Sequence, residues 1–151
     1  MERIRNQPTF VTPEIEKEKG EIERVSREVF GNQDAQGTKN FFSQFLEAAK
    51  IAPLIELSEE MWGQLENTDS YDIALEDWSD VEGHAVAGHA NHPRDWQLLK
   101  AQYEEGASIE APIVLKTKDV LHLVSGNTRL MVARALKIIP KVLLVELEEV
   151  K

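Results

Sequence analysis

His122-Leu123-Val124-Ser125-Gly126-Asn127-Thr128-Arg129-Leu130 joins an apolar strand to a helix through one glycine. The apolar run up to Val124 suits a strand, and Gly126 supplies a tight turn. Arg129 stands at the mouth of the helix that follows. The exposed amides of a helix N-terminus, the helix dipole and a guanidinium all favour a compact anion at one point. Ser125, Gly126, Asn127, Thr128 and Arg129 are therefore the candidate phosphate-binding residues. Gly126 would permit close backbone approach, the amides of Asn127 and Thr128 would donate, and Arg129 would clamp. The competing reading is an ordinary strand–turn–helix corner, with Thr128 or Asn127 as N-cap and Arg129 in solvent.

Around this turn the pattern predicts a hairpin, with a strand over 112–116, a turn at 117–119 and a returning strand over 120–124. A helix over 128–136 and a last strand over 142–145 follow. The unbroken apolar character of Val142, Leu143, Leu144 and Val145 predicts burial on both faces. Upstream, Asp95 is a plausible N-cap for a helix that carries Trp96, Leu98, Leu99 and Tyr103 and stops at Gly106. Residues 1–13, with two prolines and little periodicity, read as an arm or loop. Residues 14–30 predict an exposed helix with a thin stripe of Ile15, Ile22, Val25 and Val29. Residues 38–51 predict a second helix whose Phe41, Phe42, Phe45, Leu46 and Ala49 form a greasy face, either core or partner surface. Pro53 ends it, and Ser58 opens a short third helix containing Met61, Trp62 and Leu65. The class expected is α+β, with an N-terminal helical extension over 1–57 and a domain over 58–151.

The chain has 151 residues, 42% of them hydrophobic, and no cysteine. That length suits one compact domain with an appended segment. Disulfides, thiolate catalysis and cysteine-ligated zinc are excluded together. No apolar run approaches the roughly 18 residues of a membrane span, and the polar start lacks the apolar stretch of a signal peptide. A cytoplasmic protein is expected. The net charge of −10 is uneven: residues 1–50 carry 8 basic and 9 acidic side chains, 51–110 carry 2 and 14, and 111–151 carry 7 and 4. Non-specific nucleic-acid binding needs many basic contacts to phosphate, so it is not expected of this chain. The basic excess lies around the Ser125–Arg129 turn, where a phosphorylated small molecule would need it.

The order of strand, turn, strand, glycine turn, arginine, helix, Ile-Pro and strand over 94–147 resembles the ParB/sulfiredoxin superfamily. The likeness is best over residues 111–115 and 123–136, and looser over Asn91-His92-Pro93-Arg94. It implies a small mixed sheet with flanking helices, and nucleotide phosphates bound at Gly126 and Arg129. ATP or CTP with magnesium would be the cofactor, and a phosphotransferase or nucleotide hydrolase the activity. Residues 1–90 match no named family, and resemble in kind the tails of small phage proteins. Departures bear on the chemistry. Sulfiredoxins carry a cysteine directly after the glycine, where this chain has Asn127, so sulfinic-acid repair is excluded. Partitioning ParB proteins carry an acid and two arginines in the turn. Asn127 and Thr128 replace the acid and the first arginine, which counts against magnesium-dependent CTP hydrolysis in that style. Free serine kinases of the superfamily use a His-His-Arg turn and a distant glutamate, and Asn127-Thr128-Arg129 keeps the arginine alone. ParB-style operator binding is not supported either, because no helix-turn-helix region follows the turn within the sequence.

Other groups carry less. His84, His89 and His92, with Asp77, Asp80 and Glu82 nearby, could assemble a metal site only through loop geometry, and solvated loop histidines are the plainer reading. Asp69, Asp72, Asp77, Asp80 and Asp95 form a pool from which a base or magnesium ligand could come. His122 should face away from Leu121 and Leu123, as a packed or half-exposed strand histidine or one reaching the turn. The acidic middle of the chain also suits a non-enzymatic interaction protein: a DNA mimic, or an inhibitor docking on a basic host protein.

Overall fold

The computed structural model describes residues 8–147 except 67, 69, 74–77, 80, 82–95 and 119. Among these, the first half contains β1 (Thr9–Val11), a 3-10 turn (Ile15–Glu18), α1 (Lys19–Glu28), α2 (Ala35–Ala49), β2 (Leu54–Glu56), α3 (Glu59–Gln64), β3 (Leu65–Glu66) and a second 3-10 turn (Ser70–Asp72). The second half contains α4 (Trp96–Glu104), β4 (Ser108–Glu110), β5 (Ile113–Thr117), β6 (Val120–Ser125), α5 (Asn127–Ala135) and β7 (Lys141–Leu147). The class is α+β. A mixed five-stranded sheet has the order β2-β7-β5-β6-β3, and β1 and β4 form a separate parallel pair.

Side-chain alternation along the central strands creates two cores. On one face Val114, Leu121, Leu123, Val142 and Leu144 meet Leu130, Met131 and Ala133 of α5, with Trp62 and Tyr103. On the other, Ile113, Leu115, Val124, Leu143 and Val145 meet Ile22 and Val25 of α1 and Phe41, Phe45 and Ala49 of α2. β7 is thus covered on both sides, as its apolar run predicts. The aromatic face of α2 is core: Phe41 and Phe45 are fully buried. Elements from before residue 58 supply this whole helical layer and the edge strand β2, which pairs with β7.

The exposed helix expected over 14–30 is corrected in two respects. Its first turn is 3-10, Ile22 and Val25 are fully buried against the sheet and α2, and Ser26 is buried beside them. The second helix starts earlier than residue 38, because the Asp34 side chain caps it by accepting from the Gly37 amide at 2.6 Å. Ser58 caps α3 as expected, accepting from the Met61 amide at 3.2 Å. Leu65, however, belongs to β3, which pairs in parallel with β6.

One irregularity in the sheet matters for the site. Between β5 and β6, Val114 faces Leu123 but Ile113 faces Ser125, so Val124 is an extra residue on β6. Such a bulge re-aims the side chain after it. Strict alternation would send Ser125 to the α5 side. The shift lets it meet the α1 side instead. Among the described residues, no helix is long and apolar enough to cross a membrane.

Candidate functional site

Gly126 is the N-cap of α5 and has φ +104°, so neither Asn127 nor Thr128 fills that role. A cleft of about 610 Å³ opens beside it, lined by Ser125, Gly126, Asn127 and Arg129 from the turn and by Glu18, Glu21, Arg24 and Glu28 from the α1 side. Four of the five residues singled out in the sequence therefore share one cavity. Thr128 is not among the lining residues. Its side chain is 3% exposed, and its hydroxyl has no hydrogen-bond partner among the described residues.

Arg129 is not in solvent. Its Nη1 donates to the Glu110 carbonyl at 2.7 Å, which fixes the guanidinium, and its Nη2 lies 3.4 Å from Ser125 Oγ. The same Nη2 lies 3.7 Å from Glu18 Oε1, and the two side chains are 18% and 21% exposed. Ser125 Oγ donates to Glu18 Oε2 at 2.6 Å. A carboxylate of the protein thus already sits on the serine and the arginine of the turn. The cleft's second arginine is also engaged: Arg24 bonds Glu21 at 2.7 Å and Glu28 at 3.0 Å. With three glutamates and two arginines, the cleft is less basic than the sequence around the turn suggests.

Supporting contacts hold the first turn of α5. Tyr103 Oη donates to the Arg129 carbonyl at 2.8 Å, and burial pushes this phenol far up, so it stays a donor. On the other side of the turn, Trp62 Nε1 donates to Ser70 Oγ at 2.8 Å. Ser70 Oγ is in turn 2.8 Å from Thr68 Oγ1, which bonds Asn127 Oδ1. This chain of partly buried polar groups fixes the Asn127 carboxamide.

His122 is a packed strand residue, as its alternation allows. It meets the Phe30 ring edge-on at 5.6 Å and lies 3.4 Å from Thr117 Oγ1. Burial lowers its pKa, against an upward pull from Glu66. His84, His89, His92, Asp69, Asp77, Asp80, Glu82, Asp95 and the Asn91–Arg94 stretch lie outside the described residues. Asp72 lies in the second 3-10 turn. Among the described residues, no group of three or more histidine or carboxylate side chains is arranged to hold a metal ion.

The residues that sequence reasoning misses are Glu18, Glu21, Arg24 and Glu28 on the cleft wall, and the Glu110 carbonyl, Thr68 and Ser70 that brace the turn. Glu18 is 107 positions from Ser125, and no local pattern marks the pair. Comparison with protein-family models, curated proteins and solved structures finds no match to the chain.

Proposed function

We propose that this protein binds a phosphorylated small molecule, a nucleotide by the size of the cleft, in the ParB/sulfiredoxin manner. The observation that carries this reading is the convergence of Ser125, Gly126, Asn127 and Arg129 on one cavity of about 610 Å³. That volume falls within the range of about 300–1,000 Å³ common for small-molecule pockets. The guanidinium is braced on the Glu110 carbonyl with its other edge toward Ser125, so the arginine itself needs little reordering to hold an anion once Glu18 gives way. The reading concerns binding; a hydrolase or phosphotransferase activity would need a reacting group beyond these four residues.

Calorimetric titration with ATP, CTP, GTP and ADP, with and without magnesium, tests it. At least one nucleotide should bind below millimolar concentration, and Arg129→Ala should weaken it about tenfold or more, the loss of a charge-assisted contact. Silence from all four, with Arg129→Ala changing nothing, overturns the proposal.

A second reading is favoured by Glu18, which already satisfies the arginine and the serine. In that reading the scaffold serves a non-enzymatic acidic protein that docks on a basic partner. A partner retained at low salt and lost at high salt, in the absence of nucleotide binding, would support it.

A further inference from the structure

We propose that Glu18 is a built-in competitor for the anion site, a carboxylate that an incoming phosphate must displace; this rests on the anion-binding reading above. The two oxygens of Glu18 take the positions that a phosphate would use. Oε2 accepts from Ser125 Oγ at 2.6 Å, and Oε1 faces Arg129 Nη2 at 3.7 Å. Arg129 Nη1 is committed to the Glu110 carbonyl, so the guanidinium offers this one edge to the cleft. One edge and one hydroxyl serve one anion at a time.

The other two carboxylates on the cleft are differently placed. Glu21 and Glu28 hold Arg24, at 2.7 Å and 3.0 Å, and belong to α1 itself. Glu18 stands at the junction of the 3-10 turn and α1, where the backbone is at φ −99° and ψ 14°. It is carried by a short segment that rests on the sheet core through Ile15 at its start and reaches the turn through Glu18 at its end, and the β6 bulge aims Ser125 at it. An anion that takes Ser125 and Arg129 leaves Glu18 beside a like charge, so the carboxylate moves to solvent and its turn loosens. Binding and release of the 15–18 turn are then one event.

Glu18→Gln keeps the shape of the side chain and its bond to Ser125 while removing the charge. Glu21→Gln makes the same change in net charge on the same cleft without touching Arg129. ATP is titrated calorimetrically into wild type and both variants at fixed ionic strength. Glu18→Gln should bind about tenfold tighter than wild type, and Glu21→Gln less than about threefold tighter, since the second change lowers screened charge and loosens Arg24 but leaves Glu18 on Ser125 and Arg129. Equal gains in both variants would mean that removing Glu18 from the serine and the arginine has no effect beyond that of any negative charge on the cleft, and the competitor role fails. Binding by wild type with no gain in Glu18→Gln also removes that role, but leaves the anion site standing. Silence in all three proteins removes both. Hydrogen exchange on wild type gives a second readout should a variant not fold: saturating ATP should speed exchange across residues 15–18, and unchanged or slower exchange contradicts displacement.

Discussion

At Gly126 a Cβ would lie 2.6 Å from the Cβ of Pro112 and 2.8 Å from its Cα, and the backbone is at φ +104°. Both facts demand glycine whether or not a ligand binds. Gly126→Ala should therefore destabilise the fold by about 3 kcal/mol, read as a lower midpoint in urea. His122 makes a prediction with a sign. Burial sets its folded pKa below the ordinary 6.5, so the unfolded chain takes up the proton first as pH falls. The stability this histidine contributes is complete above about pH 6.5, declines below it, and levels off once pH passes the folded value. Urea midpoints measured at about pH 7.5 and pH 5.5 should fall more for wild type than for His122→Gln. Equal falls would show that the ring's burial carries no protonation penalty.

Among elements, those legible in the sequence are the ones that carry their own pattern. β5, β6 and β7 are apolar runs bounded by Pro112, a polar turn, Gly126 and Pro140, and they form where those signals place them. The phenylalanine face of α2 and the Ser58 cap of α3 are equally plain. β1, β2, β3 and β4 are two or three residues long. No periodicity survives in so short a segment; partner strands impose the extended state. α1 misleads for a different reason. Its charged residues, paired as Arg24 with Glu21 and Glu28, dominate the pattern, while Ile22 and Val25 alone carry the contact with the sheet. The candidate site divides in the same way. Its turn is visible in consecutive residues, whereas Glu18 and the β6 bulge that aims Ser125 at it depend on tertiary pairing.

Across the whole molecule, the division of the sequence at 57 and 58 meets a core that spans it. Ile113, Leu115, Val124, Leu143 and Val145 are covered by α1 and α2. A chain beginning at residue 58 would expose that apolar face and lose β2, one of the two partners of β7. It should bind a hydrophobic dye and unfold without a cooperative transition. A dispersed, sharp amide spectrum from that fragment would show that the second half needs no cover. The borders of the five-stranded sheet have a further consequence. β2 is three residues long and β3 two, so a stray strand meeting either side finds almost no ladder to extend. Fibrillar stacking of intact copies along this sheet lacks a template, and such growth would have to wait until the molecule opens.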